Sequence, residues 1–151
     1  MNDLKYMLIA YKQALIAKKN KEVPVGAVAV RNGIIIAKGY NQKIKKKSSL
    51  KHAELVVIDK CHKILKSPYL NDVTIYVTLE PCLMCTGALI QSRVNRLVYA
   101  TPDSKGGAIT SVIDINNIKN INHHFIITSG VLQEECSKLL SDFFKEKRGQ
   151  I

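Results

Sequence analysis

The sequence predicts an α/β fold in which helices flank a mixed β-sheet. Apolar residues recur at helical spacing near both ends of the chain, and Asn32-Gly33 joins two β-branched runs. After this hairpin, strand-like and helix-like segments alternate, which is typical of parallel strands connected by helices. Because parallel sheets bind ligands at the carboxyl ends of their strands, we expect the functional residues there.

The first part of the chain predicts one helix and a β-hairpin. Asp3 is available as the cap of helix 1, which should end near Lys19. The predicted strands of the hairpin cover residues 25–31 and 34–40, and a polar, basic loop follows over residues 42–51 (the lysine loop). The apolar residues that give helix 1 its periodicity are Leu4, Met7, Leu8, Tyr11 and Leu15.

The rest of the chain alternates between helices and strands. Pro81 should end the third strand, because proline lacks the N–H that a strand ladder needs. No internal repeat or linker interrupts the pattern, so residues 1–151 are expected to form a single domain. The predicted helices cover 52–66, 82–92 and 132–147, and the predicted strands cover 73–78, 97–100 and 125–128.

Composition and net charge limit the classes of protein to which this chain can belong. Hydrophobic residues make up 46% of the chain and charged residues 23%, which is typical of a globular protein. No apolar run approaches the roughly 20 residues of a membrane span, so we expect no membrane association and a cytoplasmic location. The net charge of +11 favours a polyanionic partner, nucleic acid first. An excess of lysine also arises from genome composition, so charge alone leaves nucleic-acid binding open.

Four cysteines fall into two groups. Cys82 and Cys85 form a Cys-x-x-Cys pair, which in an intracellular protein indicates a metal or redox site sooner than a structural disulfide. Cys61 and Cys136 lie in predicted helices with apolar neighbours. We expect these two to be ordinary core or surface residues.

A metal site is predicted where two helices begin. His52 precedes one predicted helix, and Cys82 and Cys85 lie at the start of the next. Helix N-termini stabilise negative charge, which favours cysteine thiolates. Three protein ligands leave one tetrahedral position for water, as in catalytic zinc sites, whereas structural zinc normally has four protein ligands.

Glu54 is predicted to move protons beside this metal. It follows His52 by two residues, so it points away from the ligand direction and is free to act on a zinc-activated water. It would accept the proton of the water and return protons to the substrate ring and leaving amine. A fourth protein ligand would favour a structural site instead. His62 lies on another helix face, whereas His123 and His124 remain possible.

The pattern His-x-Glu followed by Pro-Cys-x-x-Cys is typical of zinc nucleobase deaminases. Beyond this pattern, the sequence resembles the bacterial tRNA wobble-adenosine deaminases from helix 1 almost to the C-terminus. A Ser-Asp-Phe-Phe segment before a basic tail is the most discriminating part. The matching segments are residues 22–28, 39–41, 52–54, 76–85, 87–88, 92–93, 103–108 and 141–148.

The resemblance implies a cytidine deaminase-like, three-layer α/β/α fold with about five strands. It also implies one zinc ion per subunit, conversion of adenosine 34 of tRNA to inosine, contact with the anticodon arm, and a homodimer whose subunits share active-site residues. A deaminase of free guanine or cytosine and a catalytically silent RNA-binding module are the alternatives. The residues that the resemblance assigns to substrate binding are Val25, Asn41, Ala53, Leu79, Asp103, Lys105, Phe143, Phe144 and Arg148.

The lysine loop contains both support for this resemblance and a departure from it. Residues 48–51 read Ser-Ser-Leu-Lys where the family usually has an Asp-Pro-Thr-Ala-like segment, so the rim of the substrate pocket differs here. The loop is also rich in lysine, which suits phosphate contacts but equally suits a solvated loop. Likewise, Asn41 could cap a turn and one of the two phenylalanines could belong to the core. The lysines of the loop are Lys43, Lys45, Lys46, Lys47 and Lys51.

Overall fold

The computed structural model describes residues 2–149 of the chain. All predicted helices and strands are present, with boundaries that differ from the predicted ones by no more than one residue; the short 3₁₀ helix was not anticipated. The elements are α1 (Asp3–Lys19), β1 (Gly26–Arg31), β2 (Ile34–Tyr40), α2 (Ala53–Leu65), β3 (Val73–Leu79), α3 (Leu83–Gln91), β4 (Arg96–Thr101), the 3₁₀ helix (Ile115–Asn117), β5 (Ile126–Ser129) and α4 (Gln133–Arg148).

The five strands form one mixed sheet in the order β2-β1-β3-β4-β5. Strand β1 is antiparallel to both β2 and β3, whereas β3, β4 and β5 are mutually parallel. The hairpin turn has positive φ at Asn32 (50°) and Gly33 (75°), as a two-residue type I′ turn requires. This geometry explains why Asn-Gly predicted the hairpin correctly.

The sheet separates two buried clusters, as alternating side chains require. Val28, Tyr76 and Val98 lie on one face with residues of α1 and with Cys136 of α4. Ile75 and its same-face neighbours lie on the other face with α2 and α3. The predicted three-layer α/β/α fold is therefore confirmed.

Helix α1 leaves most of the stripe of apolar residues that gives it its helical periodicity at least partly exposed. Leu4, Leu8 and Leu15 are 56%, 44% and 42% exposed, and only Met7 of the stripe is fully buried. Small residues form the contact with the sheet instead. A Cβ atom at Gly26 of β1 would lie only 2.5 Å from the backbone nitrogen of Ala14, so the helix approaches the strand too closely for leucines. The residues of α1 that are buried are Tyr6, Met7, Ala10, Ala14 and Ala17.

Asp3 is not the cap of α1 but an ion-pair partner of the sheet. The cap position is Asn2, which makes no side-chain capping bond, and Asp3 is the first helical residue. The Asp3 carboxylate accepts two hydrogen bonds of 2.8 Å from Arg96 and one of 2.7 Å from the Tyr76 hydroxyl. The hydrogen bond from the Arg96 guanidinium lowers the pKa of Asp3. The side chain therefore ties the start of α1 to β3 and β4.

Cys61 and Cys136 are core residues, as expected. Both are free thiols, and they are 0% and 1% exposed. Burial raises the pKa of Cys61 to about 11 and that of Cys136 to about 12, so both are neutral at physiological pH. Within residues 2–149, none of the helices has the length and apolar character of a bilayer span.

Candidate active site

Two helix starts bring the predicted metal ligands together. His52 is the N-cap residue of α2, Cys82 is the N-cap residue of α3, and Cys85 lies in the first turn of α3. The Nδ1 atom of His52 is 3.6 Å from the sulfur of Cys82 and 3.5 Å from that of Cys85. Strand β3 ends at Leu79, so the cluster lies at the carboxyl end of a parallel strand.

These three side chains fit a zinc ion. Their ligand atoms lie within 4.8 Å of one another, and within residues 2–149 no other group of His, Cys, Asp or Glu meets this criterion. A tetrahedral zinc ion with ordinary bond lengths separates a sulfur and a nitrogen ligand by about 3.6 Å, close to the observed distances. Two thiolates and one imidazole are also the ligand types that zinc prefers.

His62 and His123, two of the other histidines, form hydrogen bonds away from the predicted metal ligands. His62 contacts the backbone oxygen of Ser67 at 2.8 Å and the hydroxyl of Ser92 at 3.1 Å. His123 contacts the backbone oxygen of Val94 at 2.7 Å. Neither these side chains nor that of His124 joins the three-ligand group in the described part of the chain. Within residues 2–149, a zinc ion at this group would therefore have three protein ligands, as catalytic zinc sites do.

The two thiols of the cluster have opposite pKa shifts. The pKa of Cys82 falls to about 4, first because the Cys85 thiol donates a hydrogen bond to it and also because His52 lies beside it. The pKa of Cys85 rises, because it donates that hydrogen bond and because it is buried. A thiolate is thus already favoured at Cys82, as a metal ligand requires.

Glu54 lies beside the ligands in the first turn of α2. It is only 4% exposed, and burial raises its pKa to about 7. Such a carboxyl group can both accept and donate a proton near neutral pH. Glu54 lines the same cavity as His52 and Cys82.

This cavity has a volume of about 300 Å³ and contains several of the predicted substrate-binding residues. Val25, Asn41, Leu79 and Asp103 all line it. Lys43 of the lysine loop and Lys147 of α4 line it as well. The remaining lining residues, to which the sequence analysis gave no role, are Glu22, Val23, Ile44 and Glu80.

Asn41 and Ala53 are connected directly. The side-chain oxygen of Asn41 accepts a hydrogen bond of 2.8 Å from the N–H of Ala53, the first residue of α2. Asn41 therefore does cap a helix start, and it lines the cavity at the same time. The side chain of Ala53 is fully buried, so this residue reaches the site through its backbone.

A second cavity of about 560 Å³ adjoins the first, and Leu79 and Asp103 line both. Lys105, Phe144 and Arg148 line this second cavity. Phe144 is 42% exposed, whereas Phe143 is 8% exposed and packs edge-on against it, with ring centres 5.4 Å apart. Phe143 thus supports the exposed ring from within the core.

Comparisons with known proteins agree with this geometry. The profile of the MafB19-like deaminase family matches residues 1–148. The tRNA-specific adenosine deaminase of Bacillus subtilis strain 168 is 44% identical over 146 residues, which cover 97% of this chain and 91% of that protein. The chain belongs to the family of the tRNA-specific adenosine deaminases.

The fold of this chain is also similar to the solved structures of deaminases. A structure described in work on A-to-I editing by tRNA:A34 deaminases at the wobble position has a TM-score of 0.87 and 34% identity. That match covers 90% of this chain and 99% of the other. The guanine deaminase of Bacillus subtilis has a TM-score of 0.66 and 27% identity, over 99% and 95% of the two chains. The fold is thus shared with a free-base deaminase, but the similarity to the tRNA deaminase is higher on both measures.

Proposed function

We propose that this protein converts adenosine to inosine at the wobble position of tRNA by hydrolysis, and that residues 1–151 form a single deaminase domain. The observation that carries the proposal is the convergence of His52, Cys82, Cys85 and Glu54 at one cavity. The proposal takes its substrate from the relatives, which are named tRNA-specific adenosine deaminases at 38–45% identity.

Zinc is the cofactor that we assign to His52, Cys82 and Cys85. When bound, zinc makes a water molecule acidic enough to act as a nucleophile near neutral pH. His52 and Cys82 directly precede α2 and α3, and Cys85 lies in the first turn of α3, so two helix starts set where the three candidate ligands lie.

Glu54 is the proton shuttle in this proposal. It accepts one proton from the attacking water and delivers it to the ring nitrogen beside the attacked carbon. The remaining water proton then passes through the same carboxylate to the exocyclic amine, and the C–N bond breaks to release ammonia. One adenosine and one water thus yield one inosine and one ammonia.

The cavity walls suit a flipped base. Val25 and Leu79 provide apolar contact, and Asn41 is held in place by its bond to Ala53, so its amide can donate to the nucleotide. An anticodon loop presents bases that are already partly unstacked, so a pocket can capture one of them at low energetic expense.

The surroundings of the cavity suit RNA. Lys43 and Lys147 line the first cavity, and Lys105, Phe144 and Arg148 line the second, so cations and an exposed aromatic ring lie next to the reacting position. Lysine and arginine contact phosphates, and an aromatic ring can stack on a base. Resemblance to the family is our ground for also proposing a homodimer that acts in the cytoplasm, where tRNA is used.

The test is to incubate the purified protein with an anticodon stem-loop that contains A34, and to measure inosine and bound zinc in parallel. We expect inosine at position 34, one zinc ion per chain, and no product from a stem-loop with G34. Release of xanthine from guanine or of uracil from cytosine, without inosine in the RNA, would support the free-base alternative. Binding of the RNA by zinc-loaded protein without deamination would support the silent RNA-binding module.

A further inference from the structure

Glu80 is a buried carboxylate next to the active site. It is 2% exposed and lies between Leu79, which lines both cavities, and Pro81-Cys82 at the start of α3. A carboxylate at such a position is strongly unfavourable unless hydrogen-bond donors surround it. The segment that supplies hydrogen-bond donors to Glu80 is therefore the segment that Glu80 holds in place.

Within residues 2–149, the hydrogen bonds to this carboxylate come from one loop, residues 102–111 (the Asp103 loop). Oε1 accepts from the N–H of Asp103 at 3.0 Å and from the Ser111 hydroxyl. Oε2 accepts from three consecutive N–H groups at 2.9–3.0 Å, those of Ile109, Thr110 and Ser111. The carboxylate thus binds both ends of the loop at once.

The loop is also shaped to enclose Glu80. A Cβ atom at Gly107 would lie 2.6 Å from Oε2 of Glu80, so only glycine permits this approach. Two backbone bonds close the loop around the carboxylate, from Gly107 to the oxygen of Asp103 at 2.9 Å and from Ala108 to the oxygen of Pro81 at 2.8 Å.

The conformation of this loop sets where two rim residues lie. Asp103 lines both cavities and Lys105 lines the second. The Asp103 carboxylate accepts the N–H of Lys105 at 3.0 Å and that of Gly106 at 3.2 Å, so the position of Lys105 follows from that of Asp103. The backbone of Asp103 is in turn held by Glu80.

We propose that Glu80 is a positioning residue for RNA binding, which acts by fixing the Asp103 loop so that Asp103 and Lys105 meet the substrate. This inference rests on the proposed function. It assigns Glu80 its main effect on the KM for RNA, because the loop that Glu80 anchors carries the rim residues Asp103 and Lys105, whereas the proton shuttle Glu54 lies on α2.

The main test compares Glu80→Gln, Lys105→Ala and the double variant with the A34 stem-loop as substrate. A glutamine keeps the shape but turns one acceptor into a donor that faces backbone N–H groups. We expect Glu80→Gln to raise KM about 10-fold or more, with kcat within about threefold and zinc content unchanged. Lys105→Ala should raise KM in the wild-type background but by less than about twofold in the Glu80→Gln background.

Hydrogen exchange supplies a readout that does not depend on activity. In Glu80→Gln, the amides of Asp103, Ile109, Thr110 and Ser111 should lose protection while those of α2 and α3 keep it. Independent effects of Lys105→Ala and Glu80→Gln on KM, or a fall in kcat at unchanged KM, would overturn the proposal. If the wild-type protein makes no inosine while the exchange result holds, the proposed function fails and the loop anchor stands.

Two milder variants keep the test decisive if Glu80→Gln does not fold. Ser111→Ala removes one of the five hydrogen bonds and should raise KM by a smaller factor in the same direction. Gly107→Ala leaves Glu80 intact but forces the loop away from it, and it should reproduce the KM effect. Unchanged KM in both folded variants would overturn the proposal.

Discussion

The metal cluster and the rim of the cavity are built in different ways. The cluster of His52, Cys82 and Cys85 stands on two helix starts, with ligand atoms 3.5–3.6 Å apart. The rim includes Phe144 and Arg148 of α4 and two loops without regular secondary structure, the lysine loop and the Asp103 loop. Each of these loops is tied to the scaffold by one buried carboxylate.

The two carboxylates that anchor the loops, Glu22 and Glu80, differ in the number of hydrogen bonds that they accept. Glu22 is 1% exposed and accepts two backbone hydrogen bonds from the lysine loop, from Ile44 at 3.0 Å and from Lys45 at 2.8 Å. Glu80 accepts five from the Asp103 loop. The lysine loop is thus anchored at residues 44 and 45, and its ends are joined by a bond of 2.9 Å from the N–H of Gln42 to the oxygen of Lys51. Its unusual residues 48–51 lie between the Glu22 anchor and His52. The predicted metal ligands therefore lie at helix starts, whereas part of the cavity rim lies on loops that buried carboxylates hold.

The largest effect is expected from Glu54→Gln in the metal cluster. The glutamine cannot shuttle protons, so kcat should fall by about 10²- to 10⁴-fold while KM, zinc content and the far-UV spectrum stay unchanged. Steady-state kinetics with the A34 stem-loop and metal analysis provide the measurement. Glu135→Gln, at an exposed position of α4, is the matched control. Wild-type activity of Glu54→Gln would remove the proposed proton shuttle.

An intermediate effect is expected at the rim from Phe144→Ala. Loss of a stacking contact with a base is worth about 1–3 kcal/mol, so KM for the stem-loop should rise about 5- to 150-fold with kcat little changed. Phe144→Tyr, which keeps the ring, should be close to wild type. Phe143→Ala should instead lower the free energy of unfolding by about 3 kcal/mol, because that ring is buried. A normal KM for Phe144→Ala would place base stacking elsewhere.

The smallest effect is expected from single lysines of the rim. Lys43→Ala should weaken RNA binding modestly and reduce the slope of log affinity against log salt by about 1, as the loss of one phosphate contact predicts. Binding of the stem-loop at several salt concentrations measures this slope. Lys63→Ala, which removes a lysine on α2 paired with Asp59, should leave the slope unchanged. Equal slopes for wild type and Lys43→Ala would show that Lys43 does not contact a phosphate.

Much of the fold was predictable because its signals are local. Asn32-Gly33 specifies a turn with two positive φ angles, and Pro81 ends a strand, so the element boundaries follow from the residues themselves. The buried face of α1 was not predictable in the same way, because it depends on a partner. The leucines of the helical pattern are largely exposed, and the close approach of Gly26 selects the alanines for the contact with the sheet.

The same distinction applies to the site. His52, Cys82 and Cys85 were predictable as a group because metal ligands need particular residue types at particular spacings, and the structure brings them together. Glu22 and Glu80 were missed because their partners are backbone N–H groups more than 20 residues away, which no residue type reveals. The available signal was weak: each is an isolated acid next to apolar residues that predict burial.

The ion pair between Asp3 and Arg96 constrains the order in which the protein can be completed during synthesis. The two residues are 93 positions apart, and β4 and β5 emerge after α1. At about 5–20 residues per second, the ribosome supplies Arg96 roughly 5–20 s after Asp3. For that interval Asp3 lacks the guanidinium with which it pairs in the folded protein, although β1, on which Ala14 of α1 packs, is already synthesised.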